Sequence, residues 1–89
     1  MQRREVHYSG RVQGVGFRFT THRIARNYDV TGFVKNLADG RVHLVVEGAT
    51  DELDRFLDDL TRKMSGYIQN VSVDAEPATG QFGDFRISF

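Results

Sequence analysis

The hydrophobic period of this chain changes between Val12 and Phe17, and a glycine turn stands at the change. Residues 5–12 alternate, with Val6, Tyr8 and Val12 on one side and His7, Ser9 and Arg11 on the other, as in a strand with one buried face. From Phe17 to about Tyr28 the apolar spacing becomes helical: Phe17, Ile24, Ala25 and Tyr28 share one side, and Arg23 and Arg26 fall towards water. Between the two runs lies Gly10-Arg11-Val12-Gln13-Gly14-Val15-Gly16-Phe17-Arg18. Such a turn points several backbone N–H groups into one hollow at the positive end of a helix dipole. An anion with three or more oxygens, such as a phosphoryl group, suits that hollow, and Arg18 adds an always-charged fork able to hold two oxygens at once. On turn chemistry alone, a plain strand-to-helix turn with an exposed arginine accounts for the same residues.

The remaining pattern restricts the architecture. Thr31 to Leu37 reads as a second strand with Phe33, Val34 and Leu37 as its apolar content, and Ala38-Asp39-Gly40 as a tight turn. Residues 41–47 return, Val42, Leu44 and Val46 alternating against Arg41, His43 and Val45, and Gly48 ends the run. Thr50 is the expected N-cap of a second helix, with Asp51 and Glu52 in its first turn. Leu53, Phe56, Leu57, Leu60 and Met64 form the stripe of that helix. Val71, Val73 and Ala75 alternate in a further strand before Pro77, the only proline, and Phe85, Ile87 and Phe89 in a last one. This order predicts an α+β fold: a ferredoxin-like α/β sandwich, βαββαβ with an added C-terminal strand, two helices on one face of an antiparallel sheet. With 89 residues, one domain spanning 1–89 is expected.

Composition removes several chemistries. There is no cysteine, which excludes disulfides, thiolate zinc sites and cysteine nucleophiles. No long apolar run or signal-peptide segment is present, so a cytoplasmic protein without membrane contact is expected. The formal net charge is zero, and it hides a basic first half and an acidic second half. A neutral total argues against a dedicated nucleic-acid binder, whereas the basic half holds the glycine turn.

Asn36 stands at the far end of the second strand, just before Asp39-Gly40. Its amide can accept from a water and donate to a neighbour without becoming charged. In isolation it equally reads as an asparagine that satisfies turn backbone groups. A split βαβ sandwich allows the first loop and this strand end to approach each other. Phe19 occupies the place where a dinucleotide loop needs its third glycine, and no Gly-Lys-Ser/Thr ending of a nucleotide P-loop follows. His7, His22 and His43 lack metal-like spacing and lie on different elements, so no metal site follows from them. Asp58 and Asp59 read as a solvated helix face, and no Asp-x-Asp nucleophile motif is present. Phe17 and Phe19 faintly match an RNA-stacking pair but open a helix, where such a motif belongs on a central strand.

Two motifs together, Gly10-Arg-Val-Gln-Gly-Val-Gly-Phe-Arg18 and Gly32-Phe-Val-Lys-Asn36-Leu-Ala-Asp39-Gly40, resemble the acylphosphatase family over almost the whole length. The resemblance implies a metal-independent hydrolase, without a cofactor, that cleaves acyl phosphates to a carboxylate and inorganic phosphate. It implies that Arg18 binds the phosphoryl oxygens together with the loop Gln13, Gly14, Val15, Gly16, Phe17 and Arg18, and that Asn36 orients the attacking water. A small-molecule acyl phosphate is then the expected partner, and a monomer the expected state. The chain departs from the family at Arg62-Lys63-Met64-Ser65-Gly66-Tyr67, where a Gly-Pro-rich link is frequent, and at Phe33 and Leu37. Two other readings fit the same residues: a non-catalytic phosphate- or RNA-binding module, and a domain at the front of a larger carbamoyl-phosphate-processing enzyme. Because the sequence stops at Phe89, a free-standing protein is expected.

Overall fold

The structure is a computed structural model describing residues 1–89. The elements are β1 (Gln2–Gly10), α1 (Phe17–Ala25), β2 (Val30–Asn36), β3 (Val42–Gly48), α2 (Thr50–Lys63), β4 (Ile68–Pro77) and β5 (Phe85–Ser88). One five-stranded sheet runs in the order β4-β1-β3-β2-β5. The expected ferredoxin-like sandwich is present, with four strands pairing antiparallel and β5 joining β2 in parallel, so the sheet is mixed. The reason lies in the link 78–84. Pro77 stands opposite Gln2 and Phe85 opposite Gly32, so the link stays at the end of the sheet where β1 and β2 begin. A strand leaving that end must run in their direction.

Alternation decides which face is buried. Val6, Tyr8, Val34, Leu44 and Val46 project from the sheet into one core with Phe17 and Ile24 of α1 and Leu53, Phe56 and Leu60 of α2. Each such side chain withdrawn from water contributes roughly 1.5–3 kcal/mol before the entropy cost. Tyr8 and Phe17 meet with ring centroids 5.0 Å apart, which fixes the first turn of α1 against β1.

The opposite face is not bare. Val45 is fully buried there, and so is Glu47, a charged residue only 4% exposed. Glu47 accepts bonds from the Thr79 N–H (2.9 Å), the Thr79 hydroxyl (2.7 Å) and the Gly80 N–H (2.9 Å), and Arg3 lies 3.6 Å away. Phe82 then packs edge-on against Phe33, with ring centroids 5.9 Å apart. The link 78–84 is thus drawn across the end of the open face by a carboxylate.

Several expected boundaries move. α1 stops at Ala25, because Asn27 and Tyr28 donate to the carbonyls of Ile24 and Ala25, three residues back, in a tighter turn. Tyr28 still packs against the core, its hydroxyl donating to Asp59 at 3.1 Å. Thr50 is the first helical residue and not the N-cap; Ala49 holds that place with extended backbone and no side-chain cap. β4 is longer than expected and is an edge strand, so Val71 and Val73 are 43% and 51% exposed where a buried face was expected. The helices cover β1, β3 and β2 but leave this edge to solvent.

Candidate active site

The glycine turn is held by its apolar residues and opened by its glycines. Val12 and Phe17 are buried and Val15 packs partly on the core, while Gly14 and Gly16 lie exposed between them. Both glycines have left-handed backbone, φ +78° and +77°. A Cβ at either would meet nothing, so backbone handedness and not space calls for glycine there. Gly16 caps α1, and no acidic residue stands in the first turn of that helix to neutralise its positive end. Arg11 donates its N–H to the Tyr67 carbonyl and Thr20 to that of Gly16; the N–H groups of residues 13 to 18 donate to no protein acceptor.

Two contacts join this turn to the ends of β2 and β5. The Gln13 side-chain amide donates to the carbonyls of Leu37 (2.8 Å) and Arg41 (2.9 Å), on either side of the Asp39-Gly40 turn. The Leu37 N–H donates to the same Arg41 carbonyl at 2.8 Å. Arg18, in the first turn of α1, reaches the Ser88 carbonyl with Nη1 at 3.4 Å, and its guanidinium lies 4.8 Å from the centre of the Phe89 ring. Ser88 is the register partner of Lys35, one residue before Asn36. Arg18 and Asn36, far apart in sequence, are therefore brought to one end of the sheet.

Asn36 closes β2 opposite Val42. Its Oδ1 is buried without a hydrogen-bond partner, although buried polar atoms are nearly always paired. The adjoining turn is rigid: Asp39 accepts from the Arg41 backbone N–H at 3.1 Å and from its Nε at 2.8 Å. Those hydrogen bonds, backbone first, hold the Asp39 carboxyl below its ordinary range. Arg18 and Lys35 stand at this end of the sheet, and Arg41 is paired with Asp39 at 2.8 Å.

Sequence reasoning missed two parts of this arrangement. Gln13 was read for its backbone, whereas its side chain ties the loop to the Asn36 strand; no local pattern announces a bond across so long a separation. Phe89 was read only as the end of a strand, yet its ring lies beneath Arg18. The largest concavity, about 830 Å³, lies on the open face between β2 and the link 78–84 and meets this end of the sheet at Lys35, Leu37, Ser88 and Phe89. Of the three histidines, His22 stands by Phe85, while His7 and His43 stack on the open face.

Known proteins share this architecture. A family model for acylphosphatases matches residues 4–87. An acylphosphatase of Salinibacter ruber is 44% identical over 80 residues, covering 89% of this chain and 84% of the relative. The crystal structure of acylphosphatase from Bacillus subtilis is similar with a TM-score of 0.90 at 29% identity, covering 100% of both chains. A HypF structure from T. kodakarensis is similar with a TM-score of 0.84 at 33% identity, covering 100% of this chain but 12% of that one. Agreement of this extent, in sequence and in fold, means that the chain belongs to the acylphosphatase family and is an enzyme that hydrolyses acyl phosphates.

Proposed function

We propose that Arg18 and the backbone N–H groups of residues 13–18 hold the phosphoryl oxygens of an acyl phosphate while Asn36 places the attacking water. The observation that carries this division of labour is the buried, unpartnered Oδ1 of Asn36 beside a turn with unspent donors. A water is the donor that such an oxygen lacks, and an anion is the acceptor that such a turn lacks.

The chemistry needs little more. Water attacks phosphorus in line with the carboxylate oxygen; the P–O bond of the mixed anhydride breaks, and the carboxylate leaves with the electron pair. The proton of the water passes to an oxygen of the substrate's own phosphoryl group, so the products are a carboxylate and inorganic phosphate. A carboxylate is a good leaving group, so no strong base is called for, and fixed donors aimed at the equatorial oxygens carry most of the barrier lowering. Placing the water adds an orientation gain.

The same reading has a monomer in the cytoplasm acting on a small molecule, without nucleic acid, cofactor or metal in the reaction. A net charge of zero supports the small-molecule partner over a nucleic acid, and no helix is long and apolar enough to cross a membrane. The test is phosphate release from benzoyl phosphate by the wild type, Arg18→Ala and Asn36→Ala. Loss of a donor of this kind lowers kcat by about 10²–10³. Unchanged turnover in either variant would remove that residue from the mechanism.

A further inference from the structure

A second cluster of side chains lies on the open face of the sheet. Glu5 and His7, two apart on β1, share that face, and His43 on β3 is the register partner of His7. The two imidazoles stack with centroids 4.5 Å apart and planes 7° apart, and Glu5 Oε1 lies 3.0 Å from His43 Nε2. The ligating atoms of all three lie within 4.8 Å of one another. Phe33 meets the His43 ring edge-on at 5.5 Å and limits where that ring can turn. His43 and Glu5 are 18% and 29% exposed, so the cluster is partly shielded yet open to solvent.

We propose that Glu5, His7 and His43 form a binding site for one borderline divalent transition-metal ion, of which Zn2+ and Cu2+ are the type. Two imidazoles and one carboxylate are the donors such ions prefer, and the hard ions Mg2+ and Ca2+ need more oxygens than are gathered here. Ligands at roughly 2.0–2.2 Å from one tetrahedral ion stand about 3.3–3.6 Å apart. β1 and β3 already hold the three residues in register, so closing the present spacing calls for rotation of the side chains and not for movement of the backbone. The remaining positions stay open to water or to Asp74, which faces Glu5 from β4. Binding uses neutral imidazoles.

Positive charge limits the affinity. Arg3 lies 4.0 Å from Glu5 but is shared with Glu47 at 3.6 Å, and Lys35 stands opposite His43 in the β2–β3 register. The ion would join the two central strands, adding stability and not entering the chemistry at Arg18. The competing account is a packed histidine pair with one Glu5–His43 hydrogen bond and no affinity for metal.

The test uses the untagged full chain. Isothermal titration with Zn2+ is expected to give one site per chain, no heat with Mg2+, and affinity at least tenfold weaker in His7→Ala and in His43→Ala but unchanged in His22→Ala. At a hundredfold excess over the dissociation constant the melting midpoint rises by on the order of 10 °C. Cu2+ added to the wild type is expected to show coupling to two imidazole nitrogens in its paramagnetic resonance spectrum. Amide shifts on Zn2+ addition to the wild type, concentrated in β1 and β3, report the site even where a variant fails to fold. No saturable binding, binding retained in both histidine variants, or shifts centred on His22 would overturn the proposal.

Discussion

Arg18 does not hang free at the helix start. The Phe89 ring and the Ser88 carbonyl hold a side chain that would otherwise lose much rotational freedom on meeting an anion. Its value in the proposed site is the planar fork, so Arg18→Lys, which keeps the charge, is expected to lower kcat/KM for benzoyl phosphate by about 10²-fold. Loss of less than a few-fold would mean that charge alone suffices. Asn36 allows a sharper test. Its side chain bonds to no protein group and leaves a buried oxygen unpaired, so it adds nothing to folding. Asn36→Ala is therefore expected to leave the urea midpoint unchanged or higher while kcat falls and KM moves little. A turn-satisfying asparagine would do the reverse, since its loss would lower stability. Both residues could be singled out in the sequence because arginine after a glycine turn and asparagine before Asp-Gly have few common uses. Gln13 as a tether and Phe89 as a platform could not, because their partners are distant in the chain.

At the scale of elements, the loop and the strand links depend on different physics. Gly16 has open space around it but left-handed backbone, so Gly16→Ala is expected to cost about 1–2 kcal/mol through strain alone. At Gly32 the added Cβ would run into the Val45 carbonyl across the β2–β3 pairing, and Gly32→Ala is expected not to fold stably. Urea titration of the two variants separates strain from collision. The link 78–84 depends instead on Glu47. Burial by itself would raise the Glu47 carboxyl, but the bonds from Thr79 and Gly80 and the nearby Arg3 outweigh it and hold it below the usual 4.5. A carboxylate favoured in the folded chain contributes fully above its unfolded value and loses that contribution as pH falls through the folded one. Glu47→Gln is expected to cost about 1.5–3 kcal/mol at neutral pH. The gap from wild type should close as pH drops below about 4.5, which unfolding curves at several pH values would show. The alternation of β1 and β3 and the stripe of α2 were legible because each buries one continuous face. The exposure of Val71 and Val73 was not, since periodicity reports a strand's faces but not whether a helix reaches over them. Glu47 was invisible for a related reason: a glutamate at a strand's end is unremarkable until the chain returns to bond it.

For the molecule as a whole, charge decides what kind of ligand is admitted. The basic first half and acidic second half of the sequence partly interleave in space, as Arg4 with Asp54 at 3.4 Å and Arg3 with Glu47 at 3.6 Å. At the Arg18 end the cations are less fully matched. The molecule measures 31 × 24 × 22 Å, about the Debye length of roughly 30 Å at 0.01 M salt. In dilute buffer an approaching dianion therefore senses the whole neutral molecule, acids included. At physiological ionic strength the length shrinks to about 8 Å, and only the local excess of positive charge remains in view. Added salt thus weakens attraction to the nearby arginines and repulsion from the distant acids together. KM for benzoyl phosphate is expected to rise no more than about threefold between about 0.01 M and 0.15 M salt. A module built to hold single-stranded RNA behaves otherwise: neutralising even six phosphates makes affinity fall by about 3 × 10²-fold over a fourfold rise in salt. Steady-state kinetics across a salt series, beside RNA binding over the same series, distinguish the two. A steep fall in both would favour a polyanion-binding surface, and a shallow change in KM with no RNA binding a site sized for one phosphoryl group.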